Sequence, residues 1–226
     1  MICMEQMTIS ILLRIIGQYL LGIWAIQVCL WILWEIGQKD PDWHLRLSRR
    51  ERRLLLWAGG LSAAAVVRAE PAADMGRTIL LGAFAGCLLT ACVMDLKEQM
   101  VYRYVWLAAY IVVAAMGMSC LRARGELSAF PVRDLLLFCV LQFALFGQMY
   151  GRADCFAFCG CAGVLCTANR GFADDVFHMV VTFGLLTGVQ LLRRTVTAAG
   201  RLRKPVPMLP YITAGFWLWV DFGLRK

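Results

Sequence analysis

The chain has 226 residues, of which 61% are hydrophobic and only 17% charged, with a mean hydropathy of +0.67. A soluble domain carries about 45–50% apolar and about 25% charged residues, so this composition excludes one and reads as a polytopic membrane protein. The net charge of +8 comes from 23 basic and 15 acidic residues scattered among loops, which points to topology and lipid headgroups and away from nucleic acid as a partner.

Taken in order, residues 7–36 form an apolar run with Arg14 and Gln18 near its start and several Trp towards its end, long enough to cross a bilayer core of about 30 Å with tilt. Residues 38–53 are polar and basic, the mark of a cytoplasmic loop. Residues 54–67 are a short Ala/Gly-rich apolar segment, followed by a turn at 69–76. Further spans are expected over 78–94, 104–120, 131–150 and 176–192, with a short small-residue segment at 155–166 and a closing segment at 208–222. The fold expected is therefore all-α, a transmembrane helical bundle of about eight spans (seven or eight). Two parts are distinguished: 1–77, with the basic loop 37–53, and a membrane core over 78–226.

With the N-terminus outside, the inside loops 37–53, 95–103, 151–155 and 193–205 hold six, two, one and five Lys/Arg, more than half of the chain's total. This orientation, chosen by charge alone, sets Asp95 and Asp154 at the same, cytoplasmic, ends of their helices.

Ten cysteines are present, but no CxxC pair occurs and His is nearly absent, so the pattern argues for small apolar filler and no metal site. Glu5 in the leading segment and the length of the apolar run after it argue against a cleavable signal peptide.

The residues that carry chemistry are the carboxylates left at the ends of apolar runs. Asp154 lies in GQMYGRADCFAFCGCAG, a stretch of small and uncharged residues apart from Arg152, directly after the run 135–146. An ionisable group at membrane depth costs about 2.5–3.5 kcal/mol on insertion scales and usually marks function. Small neighbours let other helices approach it closely. Asp95 ends another run, in ACVMDLKEQMVYRYVW. Two carboxylates on one side of a membrane can share a proton: the ionised one activates a water while its protonated partner polarises a carbonyl. That chemistry needs neither metal nor cofactor. The ordinary alternative is a pair of interfacial helix-end aspartates. Asp134, Asp174 and Asp175 read as caps or first-turn acids, and His178 as a hydrogen-bonded packing residue.

ACVMDLKEQMVYRYVW resembles the first aspartate motif of the type IV prepilin peptidases, in which an Asp ends a span before a short loop. GRADCFAFCGCAGVL resembles their second, Gly-x-Gly-Asp, motif, and PVPMLPYITAGFWL their closing stretch. The three occur in order, covering roughly 78–222. The resemblance implies a membrane aspartyl endopeptidase with Asp95 and Asp154 as the catalytic pair. Gly151 and Ala153 would support the second aspartate, and Glu98 is a candidate contact for a basic leader. It implies as partner a prepilin-like membrane peptide, cut at the cytoplasmic face of a bacterial cell membrane, and a place in type IV pilus assembly and protein secretion.

The chain departs from that pattern at Ala153, where the motif has Gly, at Phe156, where many members have Lys, and at Val101-Tyr102-Arg103, where Ile-Pro-Asn is usual. The first inside loop also lacks the paired CxxC domain of the longer relatives, so the short form without N-methylation is expected. Two rivals remain: a non-catalytic assembly or scaffold protein derived from that family, and a carboxylate-dependent transporter.

Overall fold

The computed structural model describes residues 2–40, 43–69, 74–124, 129–196 and 206–223. Among these, every regular element is helical: α1 (Ile2–Gln38), α2 (Arg49–Ala69), α3 (Met75–Glu98), α4 (Arg103–Arg124), α5 (Ala129–Ala144), α6 (Arg152–Thr167), α7 (Phe172–Val196) and α8 (Leu209–Gly223), with a single 3₁₀ turn at Phe146–Gln148. The protein is an all-α bundle.

Five of the helices are long and apolar enough to cross a membrane, over Ser10–Gln38, Met75–Glu98, Arg103–Arg122, Pro131–Gln148 and Phe172–Leu192. The expected segment at 54–67 becomes the longer α2, whose first turns carry Arg49, Arg50, Arg52 and Arg53. Between Arg53 and Arg68 the apolar stretch is too short to qualify. The segment at 155–166 becomes α6, a 16-residue helix about 24 Å long, less than the thickness of a bilayer core. Every residue of α6 from Ala157 to Thr167 is buried. A helix apolar all round belongs inside a bundle, and α6 is clasped by α4, α5, α7 and α8. The run at 131–150 is helical only to Ala144; beyond it the chain makes the 3₁₀ turn and a bend before Gly151.

The two parts distinguished in the sequence share one hydrophobic core, which includes Leu33, Leu45 and Val66 from the first part and Phe84, Phe158 and Phe216 from the second. α1 lies closely along α3 because α3 presents Gly82 and Gly86, a Gly-x-x-x-Gly face. A Cβ added at Gly82 would stand 2.9 Å from Ala25 Cβ, and one at Gly86 would stand 2.8 Å from Cys29 Cβ. Similar close approaches occur at Gly163 against Val113 and at Gly215 against Thr182.

Alternation of the helices brings particular connections to the same end. Lys97, at the end of α3, pairs with Glu51 of α2 at 2.6 Å and donates to the Arg46 carbonyl. Leu209, the first residue of α8, bonds to Asp95. At the opposite end Arg77 donates to Cys120 Sγ, whose thiol in turn meets the Thr167 carbonyl. Asp134 of α5 accepts from the Phe172 N–H there, so this carboxylate caps the neighbouring α7 and not its own helix.

Candidate active site

Asp95 stands in the last turn of α3, where the C-terminal end of the helix dipole disfavours a negative charge. What holds it is another helix. The Leu209 N–H donates to Asp95 Oδ2 at 3.1 Å, and the Met208 backbone adds a second hydrogen bond. Both donors belong to the start of α8, whose unpaired N–H groups form a ready anion site. About one turn deeper, three residues before Asp95 and four after Leu209, Cys92 and Thr213 join α3 to α8 again through a thiol–hydroxyl contact of 3.1 Å. After Asp95 the chain leaves the helix through Gln99 in the left-handed region (φ 54°), with the Gln99 N–H bonded to the Asp95 carbonyl. A non-glycine residue in that conformation is strained, and here the strain sits four residues from the carboxylate.

Asp154 stands at the third position of α6. Its Oδ2 accepts from the Gly151 N–H at 3.2 Å, the return half of a capping box; glycine has no side chain to supply the other half. Each aspartate thus occupies a helix N-terminus, Asp154 its own and Asp95 that of α8. α6 packs against α8, and the two carboxylates are close enough to feel each other's charge. Both are half-buried. Two like charges so placed disfavour double ionisation, which is the condition for a shared proton.

The residues expected to support the pair fall as follows. Gly151 is the N-cap of α6, extended at φ −63° and ψ 152°. Ala153 lies inside the helix and is not among the residues with positive φ, so Ala in place of Gly imposes no strain. Glu98, the last residue of α3, is half-buried, three residues beyond Asp95. Phe156 turns to the other face of α6, where its ring meets Phe143 at 5.1 Å, Trp106 at 6.2 Å and Tyr110 at 6.2 Å. Its departure from the motif is a packing feature. Tyr102 stacks between Trp43 and Tyr104, at 5.5 and 5.8 Å.

Three contributors were not read from the sequence. The backbone donors at Met208 and Leu209 leave no signature in side-chain identity. The aromatic chain Trp34, Trp43, Tyr102 and Tyr104 joins segments distant in sequence. The third was legible: Ser48-x-x-Glu51 is a capping-box spacing, and the structure closes it with Ser48 N–H to Glu51 Oε2 at 2.7 Å and Glu51 N–H to Ser48 Oγ at 3.3 Å. Lys97, then Ser48, hold the Glu51 carboxyl down to about 2.

The remaining ionisable groups lie elsewhere. His178 is fully buried, its Nε2 3.0 Å from the Ile212 carbonyl, between the rings of Phe158 and Phe216. This is the packing role expected of it. Asp174 pairs with Arg170 at 3.7 Å, whereas Asp175 is buried with one carboxylate oxygen unbonded. The described cysteines are all free; Cys29 and Cys87 approach to 3.6 Å between α1 and α3.

Compared with known protein families, curated proteins and solved structures, the chain matches none of them.

Proposed function

We propose that the chain is a membrane aspartyl endopeptidase that removes the leader of prepilin-like precursors at the cytoplasmic face of a bacterial cell membrane, as the short form without a methyltransferase domain. The observation that supports this most is that Asp95, held at the N-terminus of α8, and Asp154, at that of α6, are close enough to feel each other's charge. In this reading about eight segments lie in the membrane, α2, α6 and α8 completing the five longer helices, and the basic end of the bundle faces the cytoplasm.

The carboxylate pair carries one proton between its members. The ionised aspartate takes a proton from water, and the hydroxide formed attacks the carbonyl carbon of the scissile bond. The protonated aspartate donates to the carbonyl oxygen as the tetrahedral intermediate forms. On collapse the C–N bond breaks, the aspartate that took the water proton passes it to the departing amine, and the other recovers a proton from a hydroxyl of the intermediate as the carbonyl re-forms, which returns the pair to its single-proton state. The two carboxyls titrate as one unit. Two things suit the arrangement to this work: the backbone donors fix each carboxylate without neutralising it, and the helix dipoles offset part of the repulsion between them.

The test is co-expression with a tagged prepilin-like precursor, comparing wild type with Asp95→Asn and Asp154→Asn. Leader removal by wild type and its loss in each variant, by about 10³-fold or more, is expected. Cleavage that survives either substitution would remove the pair from the mechanism. The transporter alternative draws on one observation, the buried and incompletely bonded Asp175 on α7. It predicts ion or proton flux abolished by Asp175→Asn, with no cleavage by wild type.

A further inference from the structure

From residue 135 to its end, α5 is apolar except for one amide, Gln142, and that side chain is fully buried. An amide inside an apolar bundle is costly unless it is bonded, so its partners show what it holds. Three are found, from three parts of the chain. Gln142 Oε1 accepts from the Tyr150 hydroxyl, in the connection that follows α5. Its Nε2 donates to Met179 Sδ of α7 at 3.0 Å. Its main-chain carbonyl lies in the last turn of α5, where a helix leaves carbonyls open, and accepts from Cys155 Sγ of α6 at 3.4 Å.

Two of these partners occupy telling positions. Gly151 caps α6, so Tyr150 immediately precedes the cap and Cys155 is the fourth residue of the helix. A hydrophobic staple joins those same two positions and fixes the angle at which a chain enters its helix. Here both are tied to Gln142, and between them lie the cap and Asp154. The Tyr150 ring is held as well, stacked on Phe146 at 5.9 Å and tilted against Phe158 and Phe183 at 5.8 and 6.0 Å. Tyr150 and Asp154 are close enough to feel each other's charge, yet the hydroxyl has a single hydrogen and gives it to Gln142. The rest of the connection closes on itself, with the Met149 and Tyr150 N–H groups on the Phe146 carbonyl. It also packs tightly on its anchor: a Cβ at Gly147 would touch the Gln142 carbonyl oxygen at 3.5 Å and Cys155 Sγ at 3.6 Å.

We infer that Gln142 is a positioning residue for Asp154: through Tyr150 and Cys155 it sets the entry of the chain into α6, and with it the place of the Asp154 carboxylate relative to Asp95. The bond to Met179 serves a different purpose, the packing of α5 on α7. Reacting groups tolerate little misplacement, and a shift of about 1 Å can cost about 10²-fold in rate. The effect on cleavage rests on the endopeptidase reading; the placement of Asp154 is measured without it.

The test compares full-length wild type with Gln142→Leu, Tyr150→Phe, the two combined, and Met179→Leu. Tyr150→Phe keeps the ring and its packing, so it carries the test if Gln142→Leu does not fold. Cleavage kinetics are measured on the tagged prepilin-like precursor in membrane vesicles. The carboxylic C=O band of Asp154, assigned by its loss in Asp154→Asn, is followed in infrared difference spectra of the purified proteins between acid and neutral pH. Gln142→Leu and Tyr150→Phe are expected to displace that band and to lower kcat about 10- to 100-fold, with KM within about twofold of wild type. The double variant is expected to lose no more than the worse single one, because both act through one bond. Met179→Leu is expected to leave the band in place and kcat within about twofold. Losses that multiply in the double variant overturn the inference, and so does a Met179→Leu variant as impaired as Gln142→Leu. Slower cleavage with the Asp154 band in place overturns it too and leaves the endopeptidase reading standing. A displaced band in a protein whose wild type cuts nothing supports the positioning role and removes the endopeptidase reading. An unmoved band without cleavage overturns both.

Discussion

At the scale of single residues, Asp154 does two things that substitution can separate. Its carboxylate caps α6 through the Gly151 N–H, a task the amide oxygen of Asn also performs, whereas proton exchange needs the acid. Asp154→Asn is expected to unfold at nearly the wild-type temperature while losing cleavage. Asp154→Ala is expected to lose cleavage and about 1 kcal/mol of stability as well, measured by thermal unfolding in detergent. Equal stability of the two variants would mean that the cap contributes nothing. Glu51 gives a pH-dependent counterpart. Its carboxyl is held at about 2, below the ordinary 4.5, so the ionised form stabilises the fold. That contribution is complete above about 4.5 and disappears as pH falls through about 2. Glu51→Gln is expected to lower the unfolding temperature at pH 7 and to make no difference near pH 2. Asp95 and Asp154 were legible in the sequence because a carboxylate stands out against an apolar run. The donors that hold Asp95 were not, because a backbone N–H looks the same whichever side chain it carries.

At the scale of elements, the contact between α1 and α3 depends on the absence of side chains at Gly82 and Gly86. Gly86→Val is expected to force the helices apart at Cys29 and cost about 1–3 kcal/mol, read from unfolding of the purified protein. Gly184→Ala on α7, where an added Cβ meets nothing within 4 Å, is the control. It is expected to be neutral or slightly stabilising, by up to about 1 kcal/mol. An equal loss in both would remove the close approach as the cause. The long apolar runs that became α1, α3, α4 and α7 were legible from length and composition alone. α6 was less so: its small residues marked it as a place of close approach, but only the packing of four helices around it shows that it is buried on every side. The early end of α5 at Ala144 was hidden, because hydropathy continues through Phe146 after the helical hydrogen bonds have given way to the 3₁₀ turn.

At the scale of the whole molecule, the pieces that meet at the site come from α3, α6 and α8, and the bond from Leu209 to Asp95 joins residues 114 positions apart. Loop charges indicated that these helix ends share one side of the molecule; which side chains meet there depended on packing that local pattern does not encode. The same long separation bears on the birth of the protein. While a ribosome is still making the chain, Asp95 enters the membrane early, at the end of a helix whose dipole opposes its charge, and it waits for the last helix to supply its backbone donors. A product stopped after residue 196 holds both aspartates and lacks the helix that settles the first of them. Such a product is expected to be inactive and to regain cleavage when a separate segment spanning 206–223 is supplied in the same membrane. Failure of that complementation, with the segment stably inserted, would mean that the final helix is not what completes the pair. The enzyme we propose would then be silent for as long as it is unfinished, a delay that spares neighbouring nascent membrane proteins from a half-made protease.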